Sequence, residues 1–298
     1  MTAPRRIVEG TTYLLTRRCF ARMFLLRPSA LTSGVFEYAL GLAAQRYGIR
    51  LHAYCVLSNH WHCVLTDPNG KLPRFAQDLA SIVARALNAS FAREESFWAP
   101  GSYSAVELQE PADVVDKMAY TLANPVAAGL VRRGSEWPGL WSPPARIGGG
   151  PRKVMRPDHF FRPEGEMPDS VGLDLHRPPG FESDEEIRER VAEALERKES
   201  EAAWVMAAEG RAVLGARAAM AQRPFARPTT PAPHRGLNPR IASRDKWKRI
   251  EAIGRLKTFL AEYREAWRAF TSGHRGTLFP QGTYRMRVAF GVRCVATT

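Results

Sequence analysis

Two histidines separated by a single residue are the feature of this sequence whose spacing most directly suggests chemistry. His60, Trp61 and His62 lie in a run rich in β-branched and aromatic residues, which predicts a strand. Side chains alternate along a strand, so His60 and His62 share one face while Trp61 packs under the helices on the other. The two imidazoles could then chelate one divalent metal ion. Partly exposed structural histidines are the alternative that this motif leaves open.

A tyrosine and an asparagine one helical turn apart are the second feature. Pro111 predicts the start of a helix, because proline is well tolerated at the first helical position. On that helix Asp113, Tyr120 and Asn124 fall on the polar side, with Tyr120 and Asn124 as neighbours. Since the residue before a proline disfavours helical geometry, Pro125 predicts that the helix ends beside this pair. The alternative is an amphipathic tyrosine that caps a groove, next to an asparagine that only terminates a helix.

Several basic residues are candidates for contacts with a phosphate backbone. Arg17 and Arg18 close the first predicted strand, and Lys117 shares the helix side of Tyr120. Residues 223–257 contain ten Lys or Arg against two acids, together with a tryptophan that could stack on a base. The candidate nucleic-acid-binding residues of this stretch are Arg244, Lys246, Trp247, Lys248 and Arg249. A solvated lysine and a solvated basic helix are the respective alternatives.

The other histidines are weaker candidates. His52 lies on the strand next to His60, and we interpret it as structural. No role is predicted for the histidines in polar or linker contexts, which are His159, His176, His234 and His274.

Strands and helices alternate in the region that must position these side chains. β-branched and aromatic residues predict strands over 12–19, 51–57, 61–66 and 103–108. Apolar residues at helical spacing predict helices over 35–47 and along the face of Phe75, Leu79, Ile82 and Ala86. The order strand–helix–strand–strand–helix–strand predicts an α+β fold of the ferredoxin-like, split βαβ type. We expect an antiparallel sheet with helices packed on one face, plus the helix from Pro111.

The rest of the chain is predicted to form a linker and a mainly helical, basic extension. Residues 143–180 are rich in proline and glycine, a composition typical of a linker. The predicted units are a domain over 1–145, a linker over 146–181 and the extension over 182–298.

Within the extension we expect two long helices and a short β-structure. Ser183 and Glu186 have the spacing of a capping box, and helical composition continues from there to about residue 222. Residues 245–270 predict a basic amphipathic helix. Around Pro280 and Gly282 we expect two short strands.

Composition indicates a globular protein with a polyanionic partner. The chain has 298 residues, 45% of them apolar, and a formal net charge of +13, which favours nucleic acid or an anionic membrane. No apolar run has the length of a signal peptide or a membrane span, so we expect nucleic acid and no membrane. The four cysteines form no Cys-x-x-Cys pair, which favours reduced, buried thiols in a cytoplasmic protein.

Taken together, the histidine and tyrosine features resemble a known family. Residues 51–65 have the sequence LHAYCVLSNHWHCVL, and YTLANPVAAGLV begins at Tyr120. This joint pattern, followed by Trp137 and Ser142, resembles the single-tyrosine HUH transposases, in particular the REP-associated tyrosine transposases of the IS200-like family. The resemblance covers roughly residues 7–145. The chain departs from the family in having Leu-Ser where Met-Pro usually precedes Asn-His.

The resemblance implies an activity and a set of site residues. Tyr120 would attack single-stranded or hairpin DNA to give a 5′-phosphotyrosine and a free 3′-OH, and His60, His62 and Asn124 would bind Mg²⁺ or Mn²⁺. A bound divalent ion polarises the phosphoryl oxygen and orients the leaving oxygen, and mixed nitrogen and oxygen ligands suit Mn²⁺ better than Mg²⁺. Rejoining would need no ATP, because the phosphotyrosine preserves the phosphodiester bond energy. Such a protein would act as a monomer or homodimer in the bacterial cytoplasm, in association with the nucleoid.

Two other functions are compatible with the same residues. The first is a non-catalytic protein that binds hairpin DNA or RNA and retains the fold. The second is a metal-dependent hydrolase in which Tyr120 is structural, which would form no covalent adduct with DNA. Because the candidate catalytic residues all precede residue 145, we expect catalysis to survive removal of residues 181–298.

Overall fold

A five-stranded sheet forms the centre of the molecule. The computed structural model describes residues 4–101, 103–158, 161, 164–229 and 239–296. His159 and His234, parts of the predicted linker and part of the basic stretch 223–257 lie outside the described residues. The mixed α/β architecture expected from the sequence is confirmed.

The sheet combines four antiparallel strands with one short parallel strand. Its strands are β1 (Thr11–Arg18), β2 (Arg50–Leu57), β3 (His60–Asp67), β4 (Ser104–Leu108) and β7 (Ile241–Ala242). They lie in the order β2-β3-β1-β4-β7, with β7 parallel to β4 and the other pairs antiparallel. The first four agree with the predicted strands to within one residue at each end, because alternating apolar and β-branched residues cover both faces of the buried sheet.

Two helices cover one face of the sheet. They are α1 (Ala30–Tyr47) and α2 (Leu72–Ser90), and Trp61 is buried beneath them with its ring 5.8 Å from that of Phe36. α1 begins five residues before the predicted start, because the Ser29 side chain accepts a hydrogen bond from the Thr32 backbone N–H and caps the helix earlier. It ends at Gly48, whose positive φ of 67° favours glycine.

The helix predicted from Pro111, α3 (Pro111–Ala127), lies on the opposite face of the sheet from α1 and α2. The helix also passes through Pro125 instead of ending beside Asn124. Proline removes only one backbone donor, and burial of Val126 stabilises the last turn. Asp113 is buried rather than on the polar side, because it accepts hydrogen bonds from the backbone N–H groups of Glu110 and Arg244.

Part of the segment predicted as a linker is folded against α1. It forms a hairpin of β5 (Arg152–Met155) and β6 (Ser170–Leu173), whose apolar residues join the main core. The approach is close enough that a Cβ on Gly41 would lie 2.8 Å from Val171 Cγ2. The packing explains a glycine in the middle of α1, and the division of the chain into domains stays a prediction.

The described part of the extension is mainly helical. Its helices are α4 (Asp184–Ala208), α5 (Ala216–Met220), α6 (Lys246–Thr271) and α7 (Arg285–Phe290). The Ser183 hydroxyl caps α4 as expected, by accepting from the Glu186 N–H, and α4 packs along α3. The predicted helical stretch up to about residue 222 is divided, because α4 ends at Ala208 and the short α5 follows after an interruption at residues 209–215. No helix in the described ranges is both long and apolar enough to cross a lipid bilayer.

The predicted pair of strands in the C-terminal tail is wrong. Around Phe279 the chain forms two isolated bridges, Arg6 with Thr283 and Phe279 with Cys294, and the residues between them form α7. Phe279 is fully buried and packs with Met286 of that helix in a separate small core. A compact turn and helix around one aromatic residue replace the expected strands.

Candidate active site

The two histidines and the tyrosine lie together in one cleft of about 450 Å³. His60 and His62 stand at the start of β3, and their ring centres are 4.9 Å apart. The ring of Tyr120, on α3, lies 5.5 Å from that of His62. Tyr120 is 41% exposed although it sits against a buried histidine, so its side chain is accessible to an incoming ligand. Side-chain alternation along β3 places both histidines on one face of the sheet, and α3 packs on that face with Tyr120 beside them.

Hydrogen bonds hold both imidazoles by their Nδ1 atoms. His60 Nδ1 is 2.7 Å from the side-chain oxygen of Asn59. An amide oxygen only accepts, so His60 Nδ1 donates and the lone pair lies on Nε2. His62 Nδ1 is 2.8 Å from the hydroxyl of Thr16, its partner across β1. Metal-binding histidines are commonly oriented by such a hydrogen bond to the other ring nitrogen.

The cleft has a cationic lining. Three arginines, Arg18, Arg22 and Arg211, share it with the two histidines. The described residues that line the cleft include no Asp or Glu. A concave surface of one charge sign attracts a ligand of the opposite sign, so this cleft suits a phosphate-rich polymer.

The two arginines at the end of β1 lie on opposite faces of the sheet. Arg18 pairs with His60 in the strand register and lines the cleft. Arg17 pairs with Trp61, and its guanidinium carbon lies 5.3 Å from the centre of the Trp98 ring. Burial lowers the pKa of Arg17. Of these two predicted phosphate contacts, the structure brings only Arg18 to the tyrosine.

Lys117 lies beside Tyr120 but is held by a carboxylate. Its Nζ is 2.8 Å from Asp116 and 5.8 Å from the centre of the Tyr120 ring. Asp116 also pairs with Lys198 of α4 at 2.8 Å. Burial by itself would raise the pKa of Asp116, but hydrogen bonds from the two lysines lower it overall. Lys117 therefore contributes positive charge near the tyrosine. The ion pair between Asp116 and Lys198 holds α4 against α3.

The basic group at the start of α6 lies at the other end of the sheet. β7 pairs with Glu107 and Leu108, whereas the cleft lies where β1 ends at Arg18. In this group, the Arg244 N–H donates to Asp113, Lys248 pairs with Glu110, Lys246 lies near Trp247, and Arg249 donates to the Ser243 carbonyl. Trp247 is 73% exposed. The structure thus separates these five candidates from Tyr120.

Asn124 lies one turn after Tyr120 on α3, on the helix stripe between Tyr120 and Ala128, which both line the cleft. Sequence reasoning missed Arg22, Arg211 and Gln222, which line the cleft as well. The last two belong to the extension, and neither lies in a motif that could have identified it. Their position depends on tertiary packing, which local sequence patterns do not encode.

His52 has the structural role expected from the sequence. It is fully buried on β2, with Nδ1 2.7 Å from the His176 carbonyl oxygen and Nε2 2.7 Å from the Thr66 hydroxyl. Burial lowers its pKa to about 4. Both nitrogens are therefore used to join β2 to β3 and to the segment that follows β6.

The side chains of the cleft fit a divalent ion only if oxygen ligands complete the set. Within the described ranges, no group of three or more His, Cys, Asp or Glu side chains could hold a metal. His60 has the tautomer that ligation needs, and His62 lies beside it. Amide, phosphate and water oxygens would supply the remaining positions, a set that suits Mn²⁺ better than Mg²⁺.

Comparison with known proteins identifies the family that this region resembles. Residues 23–117 match the family model described as "Transposase IS200 like". This match contains both cleft histidines and confirms the resemblance noted in the sequence; it ends before Tyr120.

Two solved structures are similar to parts of the chain. One is a REP-associated tyrosine transposase bound to a REP hairpin, with 20% identity over 47% of this chain and 81% of that one and a TM-score of 0.40. The other is a candidate transposase from Deinococcus radiodurans R1, with 22% identity over 38% of this chain and 89% of that one and a TM-score of 0.29. A search of curated proteins found no match.

Proposed function

We propose that the protein is a transposase that cuts and rejoins single-stranded DNA through Tyr120. The observation that carries the proposal is the arrangement of the cleft, in which an accessible tyrosine faces two histidines and three arginines with no carboxylate among the described lining residues. The match of residues 23–117 to IS200-like transposases supports the same conclusion.

The fold proposed for the catalytic unit is the ferredoxin-like, split βαβ arrangement. The strand order β2-β3-β1-β4, with antiparallel pairs throughout, supports it. In this arrangement the central strands β1 and β3 carry Thr16 and the two histidines next to each other. The substrate would therefore meet its catalytic groups on the rigid centre of the sheet rather than on a loop.

The proposed reaction is an exchange of one phosphodiester for another. The Tyr120 hydroxyl oxygen bonds to the scissile phosphorus and releases its proton, and the bond to the 3′ oxygen breaks. The leaving oxygen takes up a proton and becomes a free 3′-OH, while the phosphate stays on the tyrosine as a 5′-phosphotyrosine. In the reverse direction a 3′-OH displaces the tyrosine, so strands are rejoined without a nucleotide cofactor.

The metal proposed for this site is Mn²⁺ or Mg²⁺, with His60 and His62 as its protein nitrogen ligands. When bound, such an ion would stabilise the charge that develops on the phosphoryl oxygens and on the leaving oxygen. Asn59 and Thr16 orient the two imidazoles through their Nδ1 atoms. Arg18, Arg22 and Arg211 line the same cleft and would neutralise and position the flanking phosphates.

The proposed substrate is a DNA hairpin with a single-stranded flank, which enters the cleft and reaches Tyr120. The net charge of +13 favours such a partner. In a bacterial cytoplasm this substrate would be presented by the nucleoid. A role in transposition, or in a domesticated process derived from it, follows from the same chemistry.

The experiment that tests the proposal follows the label of a cleaved hairpin oligonucleotide. With Mn²⁺ present, DNA labelled at its 3′ end should transfer the label to the protein. The labelled protein–DNA product should survive denaturing electrophoresis because the bond is covalent. DNA labelled at its 5′ end should instead give a shortened strand with a 3′-OH that a polymerase can extend. A non-catalytic hairpin-binding protein would give neither product, and a hydrolase would give shortened DNA without labelled protein; either result would overturn the proposal.

A further inference from the structure

A small cavity of about 180 Å³ lies at the end of the sheet formed by β4 and β7. Tyr13 of β1 lines it and stands three residues before Thr16, which contacts His62, so Tyr13 points to the face of the sheet opposite to the cleft. The segment before β1, the two strands and helix α6 supply the other walls. None of the described residues that line this cavity also lines the cleft of Tyr120.

Three arginines line the cavity, and contacts with its walls fix each of them. The Arg5 guanidinium stacks on the Tyr103 ring, with its central carbon 3.9 Å from the ring centre. The Arg240 side chain donates to the carbonyl oxygen of the residue before Arg5, at 2.7 Å. Arg6 lies 3.9 Å from the carboxylate of Glu107, whose backbone N–H donates to the Arg240 carbonyl oxygen at 2.8 Å. These contacts hold the three arginines beside one small space.

Positive charge exceeds negative charge around this cavity. Glu107 is the one carboxylate among the described lining residues, against three arginines. Burial lowers the pKa of Arg240, and the neighbouring charge of Arg5 lowers it further. Burial and Arg5 also lower the pKa of Arg17, which lies on the same face of β1 as Tyr13. An anion placed among these half-buried like charges would relieve their repulsion.

The aromatic wall of the cavity also lacks an acceptor. Tyr13 and Tyr103 are both more than nine-tenths buried, and the described residues place no acceptor in hydrogen-bond geometry with either hydroxyl. A buried hydroxyl that cannot donate its proton costs free energy. Burial raises the pKa of Tyr103, so its hydroxyl keeps that proton. Guanidinium and phenol donors therefore outnumber acceptors here, as they do where proteins bind anions.

We infer that this cavity binds a phosphate group, an inference that goes beyond the proposed function and does not depend on the chemistry of Tyr120. Guanidinium groups pair with phosphate oxygens through two parallel hydrogen bonds. The cavity is smaller than the roughly 300–1,000 Å³ of typical ligand pockets, so it suits one small group rather than an entire nucleotide. An internal phosphate of DNA carries a sugar on both sides. A free phosphate or a terminal phosphate monoester therefore fits better.

A phosphate in the cavity would join three parts of the chain. Arg5 and Arg6 precede the first strand, Arg240 comes directly before β7, and Ala252 of α6 forms part of the wall. The bound anion would hold the N-terminal segment and the first turns of α6 against β4. The site would thus couple the extension to the sheet at the end remote from the cleft.

The first test uses the unmodified full chain and inorganic phosphate. Hydrogen exchange, followed by mass spectrometry, is compared in phosphate and in chloride at equal pH and ionic strength. Peptides that cover residues 5–8, 104–108 and 240–256 should exchange more slowly in phosphate. Unchanged exchange in these peptides, or protection confined to residues 57–62 around the cleft histidines, would overturn the inference whether or not any variant folds.

The second test removes charge from the cavity and measures phosphate binding by titration calorimetry. Arg5→Gln combined with Arg240→Gln should weaken binding at least about 10-fold, the effect of losing a charge-assisted hydrogen bond. Arg146→Gln combined with Lys153→Gln removes the same charge from exposed positions and is the matched control. It should bind phosphate within about twofold of the wild type.

Two results of the second test would contradict a site in the cavity. Equal losses in the cavity variant and in the matched control would reduce the effect to net charge. A loss confined to a third double variant, Arg18→Gln with Arg22→Gln, would place the phosphate in the cleft instead.

The source of the phosphate is identified by titrating it into protein saturated with an oligonucleotide. Loss of phosphate binding with a 5′-phosphorylated strand, but not with the same strand carrying a 5′-hydroxyl, would show that a nucleic-acid end occupies the cavity. Unchanged binding with both strands would assign the cavity to free phosphate. Equal loss with both would show that internal phosphates enter, which would overturn the assignment to a free or terminal group.

Discussion

The ring of Tyr120 meets the ring of His62 edge-on, with 5.5 Å between their centres and an angle of 83° between their planes. The two side chains come from opposite layers, one from α3 and one from β3. An edge-on contact fixes the direction of the phenol without enclosing it. Tyr120 therefore stays 41% exposed in the cleft while its ring contacts the histidine.

Replacement of Tyr120 by phenylalanine removes the proposed nucleophile and keeps the ring contact with His62. We expect Tyr120→Phe to abolish the covalent protein–DNA adduct and to leave hairpin affinity and thermal stability close to those of the wild type. Adduct yield on denaturing gels and affinity by fluorescence anisotropy check the two parts. Tyr47→Phe, a tyrosine on the other face that donates to Asp78, is the matched control and should form adduct normally. Wild-type adduct yield in Tyr120→Phe would rule out this nucleophile.

Loss of either cleft histidine should separate cleavage from binding. We expect His60→Ala and His62→Ala each to lose Mn²⁺-dependent cleavage, whereas DNA affinity changes by only a few fold because phosphate contacts dominate it. EDTA should act on the wild type as these substitutions do. His274→Ala, at an exposed site remote from the cleft, is the control. Full cleavage in EDTA would exclude a metal from the reaction.

The hydroxyl of Thr16 should matter through the orientation of His62. Thr16→Val keeps the shape of the side chain but removes the group that lies 2.8 Å from His62 Nδ1. We expect Mn²⁺ affinity to fall about 10- to 100-fold, the range typical of such orienting hydrogen bonds. Thr12→Val is the matched control, since Thr12 bonds to Thr66 at the far end of the same strand pair. Equal metal affinity in both variants would contradict the positioning role.

The sequence was sufficient to predict the parts of the fold that depend on local pattern. β-branched and aromatic residues identified β1 to β4 to within one residue, and strand alternation separated Trp61 from His60 and His62. The predicted end of α3 was wrong, because the burial of Val126 outweighs the effect of Pro125. Packing of Val126 against neighbouring elements extends the helix, and such packing leaves no periodic pattern in the sequence.

The residues of the cleft could be predicted only where they lie on a regular strand or helix with a readable pattern. His60, His62 and Tyr120 are recognisable because strand alternation and helix spacing give each a defined direction. Arg211 and Gln222 enter the cleft from residues 209–229, whose position depends on the burial of Ala219 and on backbone hydrogen bonds to Gly129 and Leu130. Neither residue is part of a local pattern, so only the three-dimensional structure brings it to the histidines.

The buried His52 should make the stability of the protein depend on pH. Burial lowers its pKa from 6.5 to about 4, so between these values the unfolded state binds more protons than the folded state. The stabilisation is complete above about pH 6.5 and is lost as the pH falls toward 4, by at most about 3 kcal/mol. We expect His52→Gln to flatten this part of the curve of unfolding free energy against pH, measured by urea denaturation. His274→Gln, at an exposed site, should keep the wild-type slope.

The basic group at the start of α6 should contribute to DNA affinity without affecting chemistry. It lies at the opposite end of the sheet from Tyr120, next to β7 and the start of α3. If a long DNA substrate extends that far, the double variant Lys246→Gln and Arg249→Gln should weaken binding and reduce the slope of log affinity against log salt. The reduction should be about 0.7 for each lost contact to a single strand, or about 0.9 on a duplex stem.

Cleavage at saturating DNA should be unchanged in this double variant, because neither residue lines the cleft. Lys153→Gln with Arg146→Gln removes the same charge from exposed positions in and before the β5–β6 hairpin and serves as the control. A salt slope that falls only in the α6 variant assigns the effect to a local contact, since a change in net charge would lower both. An unchanged slope in the α6 variant means that Lys246 and Arg249 form a solvated surface and that DNA contacts only the cleft end of the sheet.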